Sequence, residues 1–263
     1  MLSRRRLLSR SVGTLTGALL LSRGLAGIGS ARAATPTRDK LTVAVLGATG
    51  RTGSKVVDAL LAQGYAVKGI SRRASQQMPR PGIDWINADV REPMSLQATL
   101  QGAQAVVYSV GVDFTKSSPK DLEDAYHTGV EAAAGASFRA GIRRFVLQSS
   151  AGRVRSRDLP PEYRASMDAK AGGEAALRAI GLGYSIVRTP GVWDRPGGEL
   201  GILLLQGELP VGGPFMINRT DIAAVLVECA ITTKAVNKTF TILNAATFER
   251  DSWRDALAGL SVD

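Results

Sequence analysis

The sequence predicts one α/β domain, a parallel sheet doubly wound with helices, and three observations predict it. From Leu41 onward, short β-branched apolar runs alternate with segments of helical spacing, the pattern of a sheet covered on both faces. The first run passes directly into a turn with glycine at every third position and then into a helical segment. The chain has 263 residues, 44% hydrophobic and 21% charged, enough to bury one sizeable core.

Residues 1–33 stand apart from that domain. Ser3-Arg4-Arg5-Arg6-Leu7-Leu8-Ser9 is a charged n-region, Val12 to Leu21 a short apolar stretch, and Ala31-Arg32-Ala33 a small-x-small cleavage site before Ala34. The apolar stretch is too short to span a bilayer as a helix, which predicts cleavage and no permanent membrane anchor. Paired arginines before x-Leu-Leu resemble the twin-arginine export signal. The resemblance implies the twin-arginine export machinery as a partner and a periplasmic mature chain from about Ala34; a basic tail or an organellar transit peptide is the alternative. Residues 34–40 read as a polar linker, and 41–263 as the domain.

Within the domain, strands are predicted at 41–46, 66–70, 83–86, 104–110, 143–148, 184–188 and 239–243. Helical spacing marks 52–63, 93–101, 120–140, 165–180 and 219–232. The Pro/Gly-rich stretch from Pro190 to Pro214 reads as an insertion near the C-terminal edge of the sheet.

The formal charge of +10 points less to nucleic acid than it first suggests. Six arginines and no acid lie in residues 1–33, leaving 27 basic against 23 acidic residues, with aromatics at only 5%. No basic stretch is interleaved with aromatics there, so no nucleic-acid partner is predicted. A lone cysteine, Cys229, and a lone histidine, His127, exclude a disulfide framework and a metal site of clustered Cys and His. Cys229 reads as a small buried hydrophobe, and His127 as a surface or packing residue of a helix.

The turn Gly47-Ala48-Thr49-Gly50-Arg51-Thr52-Gly53 lies between strand and helix. Its first glycine permits a tight turn, its second lets the backbone approach a pyrophosphate, and its third lets helix and strand pack closely. Free N–H groups at the helix start then face the anion. Strand before, helix after and a second strand in place make this the signature of a Rossmann dinucleotide-binding domain. A dinucleotide of the NAD type calls for an acid at the end of the second strand, but Ser71-Arg72-Arg73 stands there. Arginine at that place pairs with a 2′-phosphate, which predicts NADP(H) held by Arg72 and Arg73.

Gly-Ala-Thr-Gly-Arg-Thr-Gly from Gly47, Asp89-Val90, Arg143 to Ser150, Gly181 to Arg188 with Pro190-Gly191, and Arg219-Thr-Asp221-Ile-Ala together resemble the atypical short-chain dehydrogenase/reductases. The similarity is to the NmrA-like NAD(P)H-binding group, in its flavin reductase and biliverdin-IXβ reductase branch, and covers most of residues 41–244. It implies that Asp89 and Val90 lie against the adenine and that Val110 and Gly111 line the path to the nicotinamide. It also implies that Ser149 and Ser150 sit where the family's active-site serine falls, and that Lys170 holds the nicotinamide ribose.

Short-chain dehydrogenases use Tyr-x-x-x-Lys, in which the ammonium lowers the tyrosine's pKa for proton transfer. Four residues before Lys170 stands Ser166, and no tyrosine has a lysine four residues later. Tyr163, seven residues before Lys170, is read as lying off its face. Ser150 and Lys170 therefore remain as candidate catalytic residues without the usual acid. Three functions compete. The first is an exported NADP(H)-dependent oxidoreductase passing hydride to a small conjugated acceptor, such as a flavin, quinone or linear tetrapyrrole, that draws its proton from water. The acceptor would lie over Gly111, Ser150 and the 190–214 segment. The second is a non-catalytic NADP-binding redox sensor or assembly factor. The third, an isomerase or epimerase, is disfavoured by the missing tyrosine and by the short segment after Arg188.

Overall fold

The structure, a computed structural model, describes residues 41–152, 160–207, 209 and 214–263. The leader and linker expected at 1–40 lie outside the described residues. In chain order the elements are β1 (Thr42–Leu46), α1 (Gly53–Ala62), β2 (Ala66–Ser71), β3 (Ile83–Asn87), α2 (Pro93–Leu100) and β4 (Ala105–Tyr108). There follow α3 (Pro119–Glu123), α4 (Gly129–Arg139), β5 (Arg144–Ser150), α5 (Pro161–Ala179), β6 (Tyr184–Thr189), β7 (Gly191–Trp193) and β8 (Gly201–Leu205). The last are β9 (Met216–Asn218), α6 (Arg219–Ile231), β10 (Lys238–Ala245) and α7 (Trp253–Gly259).

The main sheet runs β3-β2-β1-β4-β5-β6-β10-β8, parallel except for β8, which pairs antiparallel with β10. Alternation along β1 builds a core on each face. Val43 and Val45 pack with Val56, Val57 and Leu60 of α1 and with Ile222, Val225 and Leu226 of α6. Ala44 and Leu46 pack on the other side with Leu96 and Leu100 of α2, and with Val130 and Ala133 of α4. The order reverses between β1 and β4, and the crevice at the carboxyl ends beside such a switch point is where open α/β sheets bind ligands.

Three elements differ from expectation. The segment 190–214 is no mere insertion, because Gly201-Ile-Leu-Leu-Leu205 forms the edge strand β8, and β7 and β9 make a second small sheet. The helix expected over 120–140 is divided: a Ser118–Asp121 capping box starts α3, and Asp124–Thr128 widens into a π-helical turn before α4. Tyr108 Oη donates to the Ala125 carbonyl at 2.7 Å, satisfying an acceptor within that widened turn. The short helix α7, held by buried Trp253 and Leu257, was not anticipated. Cys229 is buried, and burial pushes its thiol up to about 12, as befits a packing residue. Among the described residues no helix is long and apolar enough to cross a membrane, and no group of three or more His, Cys, Asp or Glu is placed to hold a metal ion.

Candidate functional site

The glycine turn closes by hydrogen bonds from the amides of Gly47 and Ala48 to the Ile70 carbonyl and from Gly50 N to Gly47 O at 2.9 Å. Gly47 has φ +83°, and a Cβ there would stand 2.6 Å from Ser109 O. Only glycine fits that conformation and space. A Cβ at Gly53 would collide with the Gly47 carbonyl, so the third glycine closes helix onto strand, as its spacing predicts. Gly50 leaves the loop low enough for a phosphate to come against the backbone at the start of α1.

Beyond this turn lies a cleft along the carboxyl ends of β1 to β4, lined by Gly47, Thr49 and Gly50, by Arg72 and Arg73, by Asp89 and Val90, and by Val110 and Gly111. Nine of the expected cofactor residues thus share one surface. Arg72 and Arg73 are exposed at the end of β2, and among the described residues neither forms a salt bridge. Asp89 is engaged by a residue the sequence reading passed over: Arg91 reaches it through Nε at 3.1 and 3.0 Å and Nη2 at 2.6 Å. That side-chain bond holds the Asp89 carboxyl below its ordinary range and leaves a paired acid and base on the wall of the cleft. A glycine cradle that any Cβ would fill, an open helix start and two exposed arginines at the end of the second strand together fit a dinucleotide phosphate group.

Four expected contacts fall elsewhere. Thr52 is buried and its Oγ1 accepts from Arg219 Nη1 at 2.9 Å. Arg51 extends into solvent, 3.7 Å from Asp194, rather than into the cleft. Arg219 also grips Asp194, so the beginning of α6 ties the glycine turn to the loop after β7. Ser149 turns away from the cleft and donates to Glu174 Oε1 at 2.7 Å. Glu174 has no exposed surface and receives Arg188 Nε at 3.0 Å and Nη2 at 2.6 Å. A buried charge needs such partners, so this serine serves the framework.

Lys170 is the fourth. It lines a second cavity, of about 290 Å³, with Ser150, Phe114, Tyr163, Ser166, Met167, Leu209 and Phe215. Its Nζ donates to Ser150 Oγ at 2.5 Å and lies 4.6 Å from the ring centre of Tyr126. Withdrawal from water lowers Lys170 to about 8, against the opposing pull of Glu174. Tyr163 corrects the reading that set it off the face of Lys170: seven residues turn a helix by nearly two full revolutions, and both line this cavity. Tyr126, from the π-helical turn, donates to Val112 O at 3.0 Å and accepts from Val112 N at 3.1 Å. Burial raises its pKa above the usual tyrosine value. His127 keeps a packing role, with Nδ1 2.5 Å from Glu123 and its ring against Gly172.

A family profile described as NAD(P)H-binding matches residues 47–233. The chain belongs to this NAD(P)H-binding, NmrA-like family. Among curated family relatives, an uncharacterised chloroplast protein of Arabidopsis thaliana is 27% identical over 83% of this chain and 82% of its own length. The photosystem II assembly factor of Cyanophora paradoxa is 26% identical over 63% of this chain and half of its own length. The chain spans less than two thirds of several other relatives it matches. Solved structures share the NAD(P)H-binding fold. An oxidoreductase of Lactococcus lactis superposes with TM-score 0.69 at 19% identity, covering 84% of this chain and 96% of its own. A wide-type short-chain dehydrogenase/reductase of Veillonella parvula in complex with NADP gives TM-score 0.61 at 18% identity, covering 81% and 99%.

Proposed function

We propose that this protein is an exported NADP(H)-dependent oxidoreductase that exchanges hydride with a small conjugated acceptor. The carrying observation is the pair Arg72 and Arg73, exposed in the cleft at the end of β2 where an NAD site carries an acid. When bound, the cofactor supplies the hydride. The protein's own part is to seat the pyrophosphate on the Gly47–Gly53 turn, to hold the 2′-phosphate with the two arginines, and to direct the nicotinamide past Val110 and Gly111 toward Ser150. The second cavity, which sets the rings of Phe114, Tyr163 and Phe215 beside the polar Ser150, Ser166, Lys170 and Thr189, takes the acceptor. The kinship with oxidoreductases of the same fold supports this reading.

A non-catalytic role, as redox sensor or assembly factor, is the second reading, favoured by the missing tyrosine and by the kinship with a photosystem II assembly factor. Calorimetry tests the first reading. Charge-assisted bonds are worth about 1.5–3 kcal/mol each, so Arg72→Ala with Arg73→Ala weakens NADPH binding tenfold or more and leaves NADH nearly unchanged. Equal losses for both nucleotides would refute the NADP assignment, and tight NADPH binding without oxidation by flavin mononucleotide or a quinone would favour the sensor.

A further inference from the structure

We propose that Lys170 and Ser150 form a proton relay, ammonium to hydroxyl to acceptor, replacing the absent tyrosine, and that the acceptor is a flat conjugated carbonyl compound such as a quinone or enone. The inference rests on the oxidoreductase reading and narrows its acceptor. Ser150 Oγ accepts from Lys170 Nζ at 2.5 Å, which leaves the hydroxyl's own hydrogen to be donated. Both side chains line the second cavity, and among its described lining residues there is no carboxylate. Around them stand Phe114, Tyr163, Met167, Leu209 and Phe215. Ser166 and Thr189 add polar groups to the wall, so the cavity offers ring faces for a planar molecule and hydroxyls for its oxygens, with the Ser150–Lys170 pair supplying the one cation among the described lining residues.

The tyrosines nearby do not serve as the acid. Tyr126 spends its hydroxyl on the backbone of Val112 and offers Lys170 only its ring face. Tyr163 packs edge-on against Phe114, and its backbone lies about 10 Å along the helix axis from that of Lys170.

Each reduction adds a hydride, two electrons and one hydrogen from the reduced nicotinamide, to the conjugated acceptor, and negative charge gathers on the carbonyl oxygen. The Ser150 O–H bond breaks and its proton joins that oxygen. A Lys170 N–H bond then breaks, restoring the serine, and water reprotonates the amine. One acceptor, one reduced nicotinamide and one proton give the reduced acceptor and the oxidised nicotinamide. An ammonium titrating near 8 is matched to this duty at neutral pH. The titratable groups around it are Tyr126 from the π-helical turn and Tyr163 and Glu174 from α5.

The test is reduction of menadione by NADPH with the purified chain across pH, together with NADPH affinity by fluorescence and titration of the Lys170 ammonium by nitrogen NMR. The relay requires kcat to fall above pH of about 8. Lys170→Met and Ser150→Ala should each lower kcat by about a hundredfold or more without changing the NADPH Kd, while Tyr163→Phe, which keeps the ring and removes only the hydroxyl, should lower kcat far less than either. The NMR titration should centre near 8 and vanish in Lys170→Met. Retained kcat with weakened NADPH binding would overturn the relay in favour of ribose holding. So would an equal loss in Tyr163→Phe or a lysine titrating at its ordinary value. Wild-type protein that binds NADPH but reduces no acceptor would overturn the oxidoreductase reading itself, whereas turnover indifferent to both residues overturns the relay alone.

Discussion

Gly53 occupies a place where one methyl group has nowhere to go: its added Cβ would strike the backbone carbonyl of Gly47, which cannot swing aside as a side chain can. Overpacking of this kind costs about 1–3 kcal/mol, so Gly53→Ala should lower the urea midpoint with little change in slope, which equilibrium unfolding followed by circular dichroism checks. This steric demand explains why the glycines of the turn were legible in the sequence; the requirement is local and only one residue type meets it. Arg72 and Arg73 were legible for a similar reason, since their place follows from counting to the end of the second strand. Thr52 and Ser149 were not. What turns each away from the cofactor cleft is a charged partner distant in sequence, Arg219 for one and Glu174 for the other. Arg91 was missed although Asp89 beside it was singled out, because only the folded loop brings the guanidinium back onto that carboxylate. Tyr163 was misread despite a sufficient signal, for a spacing of seven is itself a same-face spacing in a helix.

Between elements, the buried Glu174 joins α5 to the sheet through Arg188 of β6 and Ser149 of β5. Burial alone would raise its pKa, yet Arg188 and Ser149 hold it below the ordinary glutamate value of 4.5. A depressed carboxyl contributes stability that is complete above the unfolded pKa and is lost as pH falls through the folded one. Wild-type Tm should therefore drop as pH goes below about 4.5, and Glu174→Gln should show a shallower drop in that window. At neutral pH the same variant removes the buried carboxylate that receives Arg188 and Ser149 and should lower Tm; thermal unfolding across pH checks both. Most elements were visible as alternating runs, since strands and helices in a doubly wound sheet follow one another in sequence. Among the exceptions, β8 is an antiparallel edge strand whose partner β10 comes some forty residues later, set among the glycines and prolines that mark a loop. The π-helical turn was hidden because its residues keep helical spacing on either side of it.

At the scale of the whole chain, the paired arginines of the leader and the dinucleotide cleft make one proposal, since the twin-arginine route carries folded proteins with cofactor already inside. Replacing Arg4 and Arg5 with Lys should leave precursor in the cytoplasm, read by fractionation and immunoblotting; undiminished periplasmic protein would refute the route. The sheet order also sets a schedule for synthesis. Strand β6 lies between β5 and β10, so its outer edge has no partner until residues 238–245 have been made. At about 5–20 residues per second this interval lasts roughly 3–11 s. During it an unpaired strand with Ile186 and Val187 presents its backbone to any neighbouring chain. A ribosome stalled before β10 should therefore display a segment that invites strand exchange between nascent chains, and the translation of β10 is what ends that exposure.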